Sequence, residues 1–160
     1  MKKLICLIFI AVVIVSCVKK NDPITTPASD SSLVVGAWKD GPETDNYYTN
    51  GKLVYTVTIQ PTTPSTHTYQ FNTDGSFIVS ALQSNGTYST VATYSFALTD
   101  SNTFLHYSTS TFSTDKPISF IDKNTFVLTS TNTSGVTYID GSNVTHNADS
   151  ETVLSTLVRQ

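Results

Sequence analysis

From Gly86 to Asp100 the chain reads GTYSTVATYSFALTD, with larger apolar and small polar residues in alternation. Tyr88, Ala92, Tyr94, Phe96 and Leu98 fall on one face with Thr90, while Ser89, Thr93, Ser95 and Thr99 fall on the other. A period of two held over so long a run is the pattern of a β-strand with one buried face. A helix would group residues three and four apart and would scatter this set around its surface. Shorter versions recur along the chain. KLVYTVTIQ places Leu53, Tyr55, Val57 and Ile59 together, THTYQFN pairs Tyr69 with Phe71, and SFIVSAL pairs Phe77 with Val79 and Ala81. NTFLHYS, PISFID, NTFVLTS and ETVLSTLVR continue the series.

The segments between these runs carry turn chemistry: Asp74-Gly75, Asn85-Gly86, Asp100-Ser101-Asn102, Asp122-Lys123-Asn124, Ser134-Gly135 and Asp140-Gly141. Asn-Gly and Asp-Gly favour tight hairpins because both residues tolerate positive φ. Serine and threonine dominate, and glutamate occurs only at Glu43 and Glu151, a composition that suits strands and not helices. The spacing predicts one all-β domain over 33–160, an antiparallel meander of about eight to ten strands. So long a meander must close into a barrel or fold into two packed sheets as a β-sandwich. Composition leaves both open.

The first thirty residues are of another kind. Met1-Lys2-Lys3 precedes the uncharged run LICLIFIAVVIVS, Leu4 to Ser16. Such a run rises about 20 Å as a helix, too short for a bilayer core of about 30 Å. A basic start, a short apolar core and a small residue at its end describe an export signal over 1–16. Ile14-Val15-Ser16-Cys17 resembles the lipobox of bacterial lipoproteins. That resemblance implies cleavage before Cys17, fatty acylation of its sulfur and anchorage in a membrane. Cys6 would leave with the signal, so Cys17 would be the one cysteine of the mature chain. Several acyl chains, each worth about 0.8 kcal/mol per buried CH₂, make a stable anchor where one is marginal. VKKNDPITTPASDSS then reads as a flexible tether, so that 17–32 links lipid to domain. Its Lys19-Lys20-Asn21-Asp22 is similar to the short charged tracts of surface-displayed lipoproteins. The expectation is an exported, membrane-anchored lipoprotein, with the outer membrane or cell surface preferred over the inner membrane.

Gly36-Ala37-Trp38 stands on the first strand-like segment, and the chain's one arginine, Arg159, ends the last. This arrangement resembles the G-x-W motif of lipocalins and related calycin barrels. It implies that Trp38 plugs the closed end, that Gly36 allows a tight bend, and that Arg159 lies across the indole. FNTDGSF, Phe71 to Phe77, is similar to the F-x-x-D-G-x-F hairpins of lipocalin-like bacterial lipoproteins. The resemblance favours the barrel over the sandwich. It departs from the lipocalin pattern at Thr99-Asp100, where no tyrosine follows, and in lacking a C-terminal helical pattern.

No catalytic constellation is legible, and the chain reads as a non-enzyme. His67, His106 and His146 lie far apart without metal-ligand spacing, and no phosphate-cradling loop or nucleophile elbow appears. Nothing calls for a cofactor. Without Lys2 and Lys3, seven basic residues face twelve acidic ones, a formal charge near −5 that argues against nucleic acid. An eight-stranded barrel is just wide enough to fill with side chains or to hold one small ligand. Tyr55, Phe71, Phe77, Tyr88, Tyr94 and Phe96 are the expected lining, and their alternative is a solid core. DGPETDNYYTNGK, Asp40 to Lys52, falls where lipocalins carry a loop over the barrel mouth, with Tyr47 and Tyr48 as lid residues. The leading expectation is a lipid-anchored barrel that binds a small apolar or amphipathic ligand without covalent chemistry. The alternative is a surface module that recognises glycan or protein and has no cavity.

Overall fold

The computed structural model describes residues 30–160. The expected signal over 1–16, Cys17 and the tether up to residue 29 lie outside the described residues. The last three tether positions are part of the fold. Asp30 donates its backbone N–H to Asn102 Oδ1 (2.6 Å) and caps a single 3₁₀ turn at Ser31–Leu33.

Eleven strands follow: β1 Gly36–Thr49, β2 Lys52–Ile59, β3 His67–Phe71, β4 Ser76–Leu82, β5 Tyr88–Thr99, β6 Phe104–Ser108, β7 Ser113–Asp122, β8 Thr125–Asn132, β9 Thr137–Ile139, β10 Thr145–Asn147 and β11 Ser150–Arg159. From β3 to β8 each strand pairs antiparallel with the next, through turns that the sequence predicts everywhere except between β6 and β7. β11 pairs with β8 on one side and β1 on the other, and β1 pairs with β3. Eight strands thereby close a barrel, and the sandwich alternative falls away. Closure leaves those strands no free edge.

β2 lies outside this ring. One edge of β1 pairs with β11 from Trp38 to Tyr48. The other is divided, with Gly36–Lys39 taken by β3 and Glu43–Thr49 by β2. Between the two, the register against β11 shifts from Asp40 to Glu43, a bulge around Gly41-Pro42. Proline lacks the ladder donor, and here neither flanking strand asks for one. Asp-Gly-Pro therefore does not open a loop. The stretch expected as a loop over the mouth, with Tyr47 and Tyr48, is strand as far as Thr49, because β2 and β11 satisfy its backbone from both sides.

Cross-strand partners share a face, so the register defines the interior. Gly36, Phe71, Phe77 and Tyr94 form one inward row, and Trp38, Tyr69 and Val79 another. Val34, Trp38, Phe71, Leu105 and Phe126 are completely buried, and Phe77, Phe96, Leu98, Ile118 and Leu157 pack with them. In β5 the alternation breaks. A register shift past Val79 sets Tyr88 opposite Leu82, out of phase with Ala92, Tyr94 and Phe96. Tyr88 is 40% exposed and donates its hydroxyl to the Ser65 carbonyl (2.6 Å). It does not line the interior, because the extra residue of a bulge reverses the face of everything beyond it.

Candidate functional site

One end of the barrel is sealed. Trp38 donates its indole N–H to the Val34 carbonyl (2.6 Å) and meets Phe126 nearly edge-on at 4.5 Å. The Arg159 guanidinium lies 4.3 Å from the Trp38 ring centroid. It also donates to the carbonyls of Val35 (2.9 Å), Lys123 (3.2 Å) and Leu33 (3.4 Å), tying the first strand's approach to the β7–β8 turn. Gly36 holds φ at +133°, and a Cβ there would collide with that guanidinium. Gly36, Trp38 and Arg159 thus meet at the closed end. The guanidinium neutralises carbonyls left free where the chain enters the barrel, while its flat face covers the indole.

Above this floor the interior stays aromatic. Phe71 stacks on Phe77 at 4.2 Å and meets Phe96 edge-on at 5.0 Å, which spends these three expected lining residues on one another. Tyr94, only partly buried, packs against Phe77 and Tyr107. Burial and the neighbouring Tyr94 push the Tyr107 hydroxyl above its ordinary range. Phe112, in the β6–β7 turn, leans on Tyr107 from outside and is half exposed. Lys116 shares a face with the buried Leu105 opposite it and donates to Ser130 Oγ (2.8 Å).

The wall is least regular where β2 and β3 part. An opening of about 410 Å³ is lined there by Asp40, Glu43, Ile59, Pro61, His67, Tyr69, Ser155 and Leu157, with neighbouring loop residues. Small-molecule sites have volumes of this order and the same mixture of apolar walls and a few polar groups. The Asp40 carboxylate accepts from the His67 backbone N–H (2.8 Å) and the Tyr69 hydroxyl (2.7 Å), and so bridges the gap that strand pairing leaves. Burial first, and then that hydrogen bond, push the Tyr69 hydroxyl far above the ordinary phenol range. Glu43, Asp45 and Tyr47 continue the same face along β1, opposite Ile59, Val57 and Tyr55 of β2 and Ser155, Val153 and Glu151 of β11. Glu43 accepts from Ser155 Oγ (2.9 Å), and Glu151 accepts from Asn132 Nδ2 (2.7 Å). Burial, then the hydrogen bond to Glu151, hold the Tyr47 hydroxyl up at about 12.

A hairpin, β9–β10, covers the far part of that face. It pairs only with itself in the described residues. Tyr138 stacks on Tyr55 at 4.8 Å and lies 5.1 Å from Tyr47, with His146 stacked behind it at 5.0 Å. Asp140 braces the hairpin's turn. His146 (2.8 Å) and the N–H groups of Val144 and Ser142 hold its carboxyl below the usual range. Tyr55 therefore belongs to an aromatic cluster beside the ring, and the element laid across Tyr47 is the β9–β10 hairpin. Tyr138, Tyr107, Lys116 and the inward carboxylates escaped the sequence reading. Tyr107 stood within NTFLHYS, which the sequence reads as a strand, and Tyr138 lay just before the Asp140-Gly141 turn, but neither was read as a site residue.

No protein-family model matches the chain, and no curated protein matches it significantly.

Proposed function

We propose that this chain is a lipid-anchored envelope protein whose lipocalin-like barrel binds a small amphipathic molecule without covalent chemistry. One observation carries the binding reading. The barrel is packed solid at the Trp38 end, yet its wall opens between β2 and β3 onto a cavity of ligand size that mixes apolar and polar walls. A molecule there would touch Ile59, Pro61 and Leu157 on one side and Asp40, Glu43 and Tyr69 on the other. Anchorage is supported by the lipobox-like Ile14-Val15-Ser16-Cys17. Because the described chain starts at the floor, beside Asn102 and Arg159, an anchor at Cys17 would pull on the closed end and leave the far end free.

Ligand-observed NMR of the full-length chain in a non-ionic detergent, against a panel of water-soluble amphipathic compounds, tests the binding reading. At least one compound should saturate at one per chain and, in protein-observed heteronuclear spectra of the same sample, shift the resonances of Ile59 and Tyr69 while leaving Trp38 unmoved. A panel without a saturable binder would sink it. Mass spectrometry of the mature N-terminus should find acylated Cys17.

The outer edge of β2 favours a second reading. β2 pairs with β1 alone among the described residues, and Leu53 and Val54 are 56% and 45% exposed. Such an edge can accept a strand from a protein partner. Cross-linking from β2 that captures one protein reproducibly, with no small-molecule binder in the panel, would favour this module over the ligand carrier.

A further inference from the structure

Glu43 lines the opening between β2 and β3, and the next residue on its face of β1 carries charge that the described residues leave uncompensated. Asp45 is the next residue beyond Glu43 on the same face and is only 8% exposed. Its Oδ1 is the one buried side-chain polar atom among the described residues without a hydrogen-bond partner. Its cross-strand neighbours, Val153 and Val57, offer no donor from their side chains. The charges that bear on it are those of Glu43 and Glu151, both of its own sign. Among the described residues none of these three carboxylates forms an ion pair, since all three ion pairs join a histidine to another aspartate. Buried carboxylates are ordinarily paired or hydrogen-bonded. The Oδ1 of Asp45 has no such donor among the described residues.

We propose that this opening is a site for an organic ammonium ion, its charged group between Glu43 and Asp45 and its apolar body against Ile59, Pro61, Tyr69 and Leu157. The assignment rests on the ligand-binding reading above and names the class of ligand. Alternate residues on one strand face stand about 6.5–7 Å apart, and an ammonium can donate in three directions to acceptors spread in this way. A metal ion demands converging ligands, and among the described residues no group of three His, Cys, Asp or Glu is placed to hold one. The tyrosines nearby favour the same charge, because ring faces attract cations.

A matched pair tests the site: 2-phenylethylamine, charged at pH 7, and 2-phenylethanol, which keeps the aryl body and lacks the charge. Each is titrated into the full-length chain and followed by heteronuclear NMR. The amine should bind at least tenfold more tightly, with shifts centred on Glu43, Asp45 and Ile59. Asp45→Asn and Glu43→Gln, both close in shape to the parent, should each erase the preference while the spectrum keeps its folded dispersion. Equal affinity for the two compounds overturns the ammonium site and leaves the amphipathic-ligand reading intact. A preference that survives both substitutions overturns its placement. Binding of neither compound overturns the ammonium site as well, and the wider panel then decides the binding reading by itself.

Discussion

At the Trp38 end, the polar groups that the aromatic core encloses are matched: indole N–H to the Val34 carbonyl, guanidinium to three carbonyls and a ring face. On the β1–β2 flank the matching stops at Asp45, and the inward face carries Asp40, Glu43 and Glu151 as well. Both regions lie on the same two strands, β1 and β11, only a few residues apart. The difference separates two uses of burial. Groups satisfied from within fix a shape, whereas a group left wanting a partner marks where the shape is to be completed by something else.

The largest expected effect strikes the matched end. Trp38→Ala removes a completely buried side chain that touches Phe126 and underlies Arg159, and should cost about 3–5 kcal/mol in chemical denaturation. Ligand affinity at the flank, measured under conditions where the variant stays folded, should hardly change. A variant as stable as the parent that had lost binding would reverse the roles of the two ends.

Arg159→Ala should come next, at about 2–3 kcal/mol, since it strips charge-assisted bonds from three carbonyls and uncovers the indole. Arg159→Lys sharpens the comparison. Lysine keeps the charge but loses the planar fork, so most of the loss should remain. If lysine restored full stability, the floor would depend on charge alone and not on its geometry.

These two residues were legible in the sequence because the floor obeys the rules that sequence reading uses. Phe71, Phe77, Tyr94, Phe96 and Leu98 alternate strictly, and Gly36, Trp38 and Arg159 stand at the two ends of the barrel's own strands. The flank breaks those rules. The bulge at Gly41-Pro42 interrupts the period just where charged residues make β1 look like a loop, and the shift past Val79 turns Tyr88 outward. The β9–β10 hairpin could be read as a hairpin, yet its position depends on Tyr138 meeting Tyr55, a contact remote in sequence. Asp45 offered no signal at all. An aspartate between a threonine and an asparagine reads as solvated, and only the pairing of β2 and β11 on either side buries it.

The smallest expected effect is the most discriminating, because it has the opposite sign. Burial, with Glu43 and Glu151 adding repulsion, raises the Asp45 carboxyl above its ordinary value. The folded chain therefore holds that proton more tightly than the unfolded chain does. Between the two pKa values stability falls as pH rises, and above both the penalty stays constant. Asp45→Asn removes the ionisable group while nearly keeping its shape, so at pH 7 it should stabilise the empty protein by about 1 kcal/mol. Below about pH 4, where the unfolded carboxyl is protonated too, the gain should vanish. Denaturation curves of parent and variant across pH 3–8 would show it. Saturating the parent with a bound ammonium should close the gap from the other direction, by supplying the donor that the amide makes unnecessary. An Asp45→Asn variant less stable than the parent at pH 7 would mean that the carboxylate is already satisfied within the fold, and the flank would then be matched like the floor.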